Sequence, residues 1–133
     1  MMMNNNATPS LPSLNNSTFE LSDDGFYAPI HQALGNIQAR FHAYQTAKFT
    51  QRPPEFFSLE LCGEAGELAN LEKKRWKGKK ISNDALSDEA ADVCIALMNY
   101  ANAREIDLAA AVVAKLHRIE EKRRLLEERG EEY

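Results

Sequence analysis

Apolar residues recur along most of the chain at steps of three and four, which is typical of amphipathic helices. The spacing predicts a first helix over residues 29–48, whose apolar stripe is Ile30, Leu34, Ile37, Phe41 and Tyr44. Pro53 and Pro54 end the next connection and predict a second helix to about Arg75, because proline is accepted in the first turn of a helix. No segment alternates apolar and polar residues as a β-strand does.

Two further helices complete the pattern. The third is predicted to start at Ser82 or Ser87, both suitable N-caps, and to run to about Arg104. It is apolar on every side, which indicates a central position. Because four helices can hardly surround it, we expect it to lie in a subunit interface. Asp107 caps a fourth helix that ends near Glu128, so the predicted fold is an all-α four-helix bundle that forms oligomers.

The remaining segments divide the chain into one domain and two tails. Residues 1–22 carry few apolar side chains and cannot bury enough surface to offset their ordering entropy, which predicts a flexible arm. Residues 23–128 form the predicted domain, and residues 129–133 form a frayed tail.

Composition narrows the class of protein. A content of 44% hydrophobic and 27% charged residues is typical of globular proteins. No apolar run reaches membrane-spanning length and no signal-peptide core is present, so we expect no membrane partner and a cytoplasmic location. The net charge of −4 argues against nucleic-acid binding. Cys62 and Cys94 lie in apolar helical patterns and are predicted to be reduced and buried.

Two acidic pairs are the most informative chemical feature. Glu64 and Glu67 lie in the second helix, and Glu89 and Asp92 lie in the third. Each pair is spaced i,i+3, so its carboxylates project from one side of the helix. Apolar residues share those sides, and burying a lone carboxylate is costly because desolvation disfavours its ionised form. Four carboxylates from two packed helices are explained by a cation, and a histidine-free oxygen set favours Mg²⁺ or Mn²⁺.

Four other features each allow two interpretations. Gly63 and Gly66 would admit a helix backbone or a bound phosphate, or they reflect plain helix packing. Six of the eight residues 73–80 are basic, which is typical of a solvated surface or of a segment that attracts polyphosphate. Trp76 is interpreted either as a core residue or as a lid over a base. Lys115, on the apolar face of the fourth helix, either pairs with a phosphate or an acid, or extends to solvent.

The acidic pairs and their surroundings resemble a known family. Residues 63–68 read Gly-Glu-Ala-Gly-Glu-Leu, residues 89–97 read Glu-Ala-Ala-Asp-Val-Cys-Ile-Ala-Leu, and residues 106–108 read Ile-Asp-Leu. Together with Ala-Val-Val-Ala-Lys at residues 111–115, they are similar in order and spacing to the MazG-like all-α nucleotide pyrophosphohydrolases. The resemblance covers residues 30–123, and Gly63 places the chain near the members that resemble dCTP pyrophosphatases.

The resemblance implies a reaction and roles for individual residues. The reaction is Mg²⁺-dependent attack of water on the α-phosphorus of a nucleoside or deoxynucleoside triphosphate, giving the monophosphate and pyrophosphate, and its cellular role is control of the nucleotide pool. The implied metal ligands are Glu64, Glu67, Glu89 and Asp92, with Glu64 or Glu67 also serving as general base. The candidates for substrate binding are Lys115, Glu60, His42, Trp76 and Asn99. The candidates for a base pocket are His42, Phe49, Phe56, Phe57 and Trp76. The implied assembly is a homodimer or a homotetramer.

Other functions use the same sequence features. Phosphoribosyl-ATP pyrophosphohydrolase and dimeric dUTPase activities would use the same acids in the same fold. A di-iron carboxylate bundle would require Glu-x-x-His pairs, and neither acidic pair contains histidine. A non-catalytic helical interaction module would pair the acids with Lys73, Lys74 or Lys115. Turnover of a substrate and the effect of a divalent metal on stability separate these alternatives.

Overall fold

The computed structural model describes residues 21–133, and these contain four α-helices and no β-strand. The helices are α1 (Ala28–Lys48), α2 (Pro54–Trp76), α3 (Asn83–Ala103) and α4 (Leu108–Glu128). The all-α class is therefore confirmed, and each predicted helix ends within one or two residues of its predicted boundary. All but the last two residues of the predicted flexible arm lie outside the described part of the chain.

Local signals fix the helix ends. The side chain of Ser82 accepts a hydrogen bond from the backbone N–H of Ala85 at 3.2 Å, and this caps α3. The side chain of Asp107 accepts from the N–H of Ala110 at 2.9 Å, and this caps α4. Such bonds satisfy donors that the helix leaves free in its first turn. Gly78 has a φ of 82°, a left-handed conformation that favours glycine, and turns the chain after α2.

A short π-helical turn, Asp23–Tyr27, precedes α1. The side chain of Ser22 accepts from the N–H of Gly25 at 3.0 Å and starts this turn. Tyr27 is buried, and its ring stacks on that of His117 in α4 with centroids 3.8 Å apart. The turn thereby joins the start of α1 to α4. The sequence analysis identified no such element, because π-helical turns carry no regular apolar period.

The helices pack as two pairs, which meet chiefly where α1 packs on α3. The most extensive packing is between α2 and α3, which form a helical hairpin. The second pair is α1 and α4, and α1 also packs on α3. Between the pairs, Nδ2 of Asn102 in α3 donates to the backbone carbonyl of Gln38 in α1 at 3.2 Å. The side chain of Gln38 joins α1 to the start of α4. Its Nε2 donates to the carbonyl of Ile106 at 2.7 Å, and its Oε1 accepts from the N–H of Leu108 at 3.0 Å.

The core of the described residues is small. Its buried apolar residues are Tyr27, Phe57, Ala96, Met98, Ala101 and Ala109. The apolar stripe predicted for α1 is only partly covered, since Ile37 is exposed and Tyr44 is 58% exposed. In α3, likewise, Ile95 and Leu97 are exposed. A single chain therefore leaves apolar helix faces in contact with solvent, because four helices cannot cover them all.

The prediction that the two cysteines are buried is wrong, and the two glycines of α2 have no close neighbour among the described residues. Cys62 and Cys94 are free thiols, as expected, but both are exposed rather than buried. A side chain built at Gly63 or Gly66 would meet nothing within 4 Å. No helix within the described residues therefore packs closely against these glycines. The error has one cause: periodicity identifies the apolar face of a helix, but tertiary packing decides whether that face is covered.

No helix among residues 21–133 is both long enough and apolar enough to cross a membrane.

Candidate metal centre and adjoining cavities

The α2–α3 hairpin brings the acidic pairs together. Glu64 and Glu67 lie midway along α2, and Glu89 and Asp92 lie in the first half of α3. One carboxylate oxygen from each of Glu64, Glu89 and Asp92 lies within 4.8 Å of the other two. Glu67 lies outside this group of mutually close oxygens. We refer to Glu64, Glu89 and Asp92 as the acidic triad.

Glu89 is the member of the triad that has a buried carboxylate oxygen without a partner. Its Oε2 is buried and has no hydrogen-bond partner, the one such side-chain atom among the described residues. Burial is the largest cause that raises the pKa of Glu89, followed by the negative charges of Glu67, Asp92 and Glu64. Glu67 lies beside Glu89, and a hydrogen bond in which the two side chains share a proton raises the pKa of Glu89 further.

Glu64 is in a similar electrostatic environment. Partial burial raises the pKa of its carboxyl above the ordinary value. The negative charges of its neighbours raise that pKa further, in the order Asp92, Glu67 and Glu60. Like charges at this separation favour the neutral acid unless a cation offsets them.

No basic side chain in the described part of the chain forms an ion pair with the triad. The ion pairs of the described residues are Arg104–Glu55 and three pairs within α4, which join Arg123 to Glu120, Arg123 to Glu127 and Arg124 to Glu128. None of them includes a member of the triad. The oxygen-only donor set and the unpartnered buried oxygen fit a hard divalent cation such as Mg²⁺.

A cavity of about 250 Å³ opens beside the triad. Glu64 and Asp92 line it, whereas Glu89 does not. Two of the predicted substrate-binding residues, Glu60 and Asn99, also line it. Its remaining walls are Gln45, Phe56, Phe57, Ile95 and Ala96. We refer to this space as the acidic cavity.

A second cavity of about 230 Å³ adjoins the acidic cavity and shares three wall residues with it, namely Gln45, Phe57 and Asn99. Its other walls are His42, Thr46, Gln51, Arg52, Asn102, Ala103 and Glu105. We refer to it as the amide cavity, because amide side chains are prominent in its lining. His42 and Asn102 also line a third, shallower space of about 310 Å³ with Gln38.

Two other predicted substrate-binding residues lie apart from these cavities. Lys115 is exposed on α4 and lines neither the acidic nor the amide cavity. Trp76 is 84% exposed at the end of α2, so it is not a core residue. It lies twelve positions after Glu64 on the same helix, about 18 Å away at the rise of an α-helix. Phe49, a predicted base-pocket residue, is exposed and contacts the ring of Tyr44.

Two residues that line the cavities, Gln45 and Asn102, were not predicted from the sequence. A signal for Gln45 was present. Gln38, His42 and Gln45 recur at steps of four and three, which places a polar stripe on α1 beside its apolar stripe. All three line the cavities described above. A comparable signal was present for Asn102, which lies three positions after the predicted site residue Asn99 and lines the same cavity.

Comparisons of the chain with protein-family models, with curated proteins and with solved structures found no match. The resemblance to the MazG-like family therefore stays a prediction from the sequence.

Proposed function

We propose that the protein is a Mg²⁺-dependent pyrophosphohydrolase that cleaves nucleoside or deoxynucleoside triphosphates to the monophosphate and pyrophosphate. One observation carries the proposal. The triad brings three carboxylates within 4.8 Å, without a compensating cation from the described residues and with one buried oxygen unpartnered. The resemblance to MazG-like nucleotide pyrophosphohydrolases supplies the reaction that such a cluster would serve.

Glu64, Glu89 and Asp92 would hold Mg²⁺, with Glu67 beside them. When bound, the metal neutralises charge on the phosphates and lowers the pKa of a water molecule. Mn²⁺ has the same preference for oxygen ligands and is the natural substitute. Without a cation, carboxylates this close would repel a polyphosphate, which carries several negative charges.

The proposed general base is Glu67. It is exposed and lies next to the triad, outside the group of mutually close oxygens. With a cation bound to the triad, no proton would be held between Glu67 and Glu89, and the carboxylate of Glu67 would accept a proton from the attacking water. Glu64, the alternative base, belongs to the triad and would be committed to the cation. No serine or cysteine nucleophile is required, because water attacks the phosphorus directly.

The two adjoining cavities would divide the substrate between them. The acidic cavity would hold the phosphates next to the triad, with Glu60 and Asn99 in its wall. The nucleoside would extend into the amide cavity, where Gln45, Gln51 and Asn102 offer both donors and acceptors. Phe57 lies in the walls of both cavities and offers an apolar surface at their junction.

The active protein would be a homodimer or a homotetramer. The small core and the exposed Leu59, Ile95 and Leu97 leave apolar surface that a second copy would cover. The metal ligands come from α2 and α3, the helices that carry this uncovered surface. Association would therefore bring a neighbouring subunit close to the site.

Pyrophosphate release from a panel of canonical and modified NTPs and dNTPs tests the proposal. The panel includes dUTP and phosphoribosyl-ATP, and each substrate is assayed with Mg²⁺, with Mn²⁺ and with EDTA. We expect release with either metal and none with EDTA. If the folded protein released pyrophosphate from none of these substrates, the proposed function would be wrong.

The outcome also separates the alternatives. Turnover confined to dUTP or to phosphoribosyl-ATP would assign the corresponding activity to the same acids. A non-catalytic module would give no turnover and no stabilisation by Mg²⁺. The absence of ion pairs between the acidic triad and the lysines of the described residues supports the enzyme over the module.

A further inference from the structure

A second charged feature lies at the far end of α2. Residues 73–80 contain six lysines and arginines, one tryptophan and one glycine, and all eight residues are exposed. We refer to them as the basic turn. They form the last turn of α2 and the connection to α3, so their side chains radiate from one end of the hairpin.

The charge of the basic turn is not neutralised by ion pairs within residues 21–133. None of the ion pairs of the described residues includes any of its six cations. The contact that one of them makes is a hydrogen bond from Arg75 to the side-chain oxygen of Asn83, at 3.2 Å. Glu72 and Asp84 flank the turn in sequence, but neither is ion-paired with it. The rest of the chain is strongly acidic, because the net charge is −4 although the turn contributes six positive charges.

The basic turn is separate from the candidate metal centre. None of its residues lines the acidic or the amide cavity. Trp76 lies about 18 Å along α2 from Glu64, well beyond the Debye length of about 8 Å at physiological ionic strength. Screening at that distance weakens attraction of a polyphosphate toward the site of the same subunit. We therefore expect the basic turn to bind a partner other than the polyphosphate at the site of the same subunit.

The aromatic residue indicates the chemistry of that partner. Trp76, at 84% exposure, is the most exposed of the large hydrophobic side chains in the described residues. Lysine or arginine stands on both sides of it, at positions 75 and 77. A solvated aromatic ring offers a face for stacking, and the surrounding cations attract phosphates. Proteins that bind single-stranded nucleic acids without sequence preference combine these two features.

We propose that the basic turn binds single-stranded nucleic acid, with a base stacked on Trp76 and neighbouring phosphates contacted by the lysines. The overall net charge led us to expect no nucleic-acid binding, but binding depends on the local field rather than on the sum. Duplex is disfavoured because its bases are stacked on one another and offer no free face to the ring. Sequence preference is expected to be weak, because every base has a π face.

The single tryptophan makes the first test direct. The emission of Trp76 is followed in the full-length protein, in EDTA, as oligo(dT) is added. We expect saturable quenching. If three or four of the cations contact phosphates, the slope of log affinity against log salt is about −2 to −3. That slope corresponds to roughly 16- to 60-fold weaker binding at 200 mM than at 50 mM salt.

Two sets of variants test stacking on Trp76 and the phosphate contacts of the lysines separately. Binding is measured by the anisotropy of a fluorescently labelled oligo(dT). Trp76→Ala should weaken binding about tenfold through lost stacking, and Trp76→Phe should restore most of it. Lys79→Glu with Lys80→Glu should weaken binding and flatten the salt slope. The matched control is Arg118→Glu with Arg129→Glu, an equal change of charge at exposed positions of α4 and its end, and it should leave the salt slope unchanged.

Four results would overturn the proposal. The first is the absence of both quenching and an anisotropy change. The second is binding of duplex as tightly as single strand, with no effect of Trp76→Ala. The third is a response to vesicles of phosphatidylserine without a response to oligo(dT), which would assign the turn to a membrane surface. The fourth is quenching by dTTP equal to that by oligo(dT), which would assign the turn to the nucleotide substrate.

Discussion

The carboxylate oxygens of Glu64 and Asp92 approach within 4.8 Å from two different helices, and an oxygen of Glu89 lies within the same limit of each. Because of this relationship, removing one acid is expected to have opposite effects on stability and on metal binding. The mutual repulsion of the acids opposes folding in the absence of a cation. The same convergence would create the affinity for a cation.

Asp92→Asn is predicted to abolish Mg²⁺-dependent pyrophosphate release and to leave the fold intact. In EDTA the melting temperature should equal or exceed that of the wild type, because the negative charge of Asp92 no longer repels Glu64 and Glu89. Circular dichroism melts and turnover assays check both parts. Asp88→Asn is the matched control, since Asp88 is exposed on the same helix outside the triad, and it should retain turnover.

The stabilisation by Mg²⁺ is predicted to depend on pH. The pKa values of Glu64 and Glu89 are raised in the folded protein, so the folded state binds more protons than the unfolded state between the ordinary and the raised values. Without metal, these two groups therefore favour folding at low pH, and this contribution is lost as the pH rises through their raised pKa values. Protons also compete with the cation for the same oxygens.

Melts with and without Mg²⁺ across pH 5 to 8 measure this effect. The increase in melting temperature caused by Mg²⁺ should grow as the pH rises. A ligand that binds the folded state at a hundred times its Kd contributes about 2.7 kcal/mol. An equal increase at every pH would mean that the cation binds elsewhere. Melts and turnover assays repeated with Ca²⁺ in place of Mg²⁺ serve to separate cation binding from turnover.

Gln38 is predicted to be a stability determinant that touches neither the triad nor the acidic cavity. Gln38→Ala removes the partners of the Ile106 carbonyl and the Leu108 N–H, at a cost of about 1–3 kcal/mol in the free energy of unfolding. Gln38→Glu keeps an acceptor for Leu108 but places a carboxylate oxygen against the Ile106 carbonyl, so it should not restore the stability of the wild type. Urea denaturation measures the effect. Gln32→Ala, at an exposed position of α1, is the control and should change stability by no more than about 0.5 kcal/mol.

The self-association of the chain is predicted to depend on exposed apolar positions of α2. Leu59 is 75% exposed in the single chain, so Leu59→Lys would be nearly neutral in a monomer. In an oligomer that buries this face, the same change would place a charge in an apolar interface and favour dissociation. Sedimentation velocity distinguishes the two cases. Leu59→Met should preserve association, and a monomeric wild type at micromolar concentration would contradict the prediction.

The secondary structure was predictable because its determinants are local. Within a helix, a proline such as Pro54 is accepted in the first turn. Ser82 and Asp107 satisfy free N–H groups of the turns that follow them. The repeat of apolar residues then fixes the length of each helix. None of these signals depends on what the rest of the chain does.

Burial was less predictable because it depends on which helices meet. Cys62 lies in an apolar pattern but is exposed, and Tyr44 belongs to an apolar stripe that α4 and α3 cover only in part. The sequence indicated four acids at one site, and three of them converge in the structure. The position of Glu67 outside that group depends on the exact rotation of α2 against α3, which i,i+3 spacing does not specify.

The residues that line the cavities come from α1 and from the α2–α3 hairpin, and this division has an evolutionary consequence. The three converging acids lie on a single hairpin, α2–α3, whereas His42, Gln45 and Thr46 in the walls of the cavities lie on α1. Mutations in α1 can therefore reshape the space beside the triad without altering any of its ligands. Under the proposed function, selection could change the substrate through α1 while the α2–α3 hairpin keeps the acids that would hold the cation.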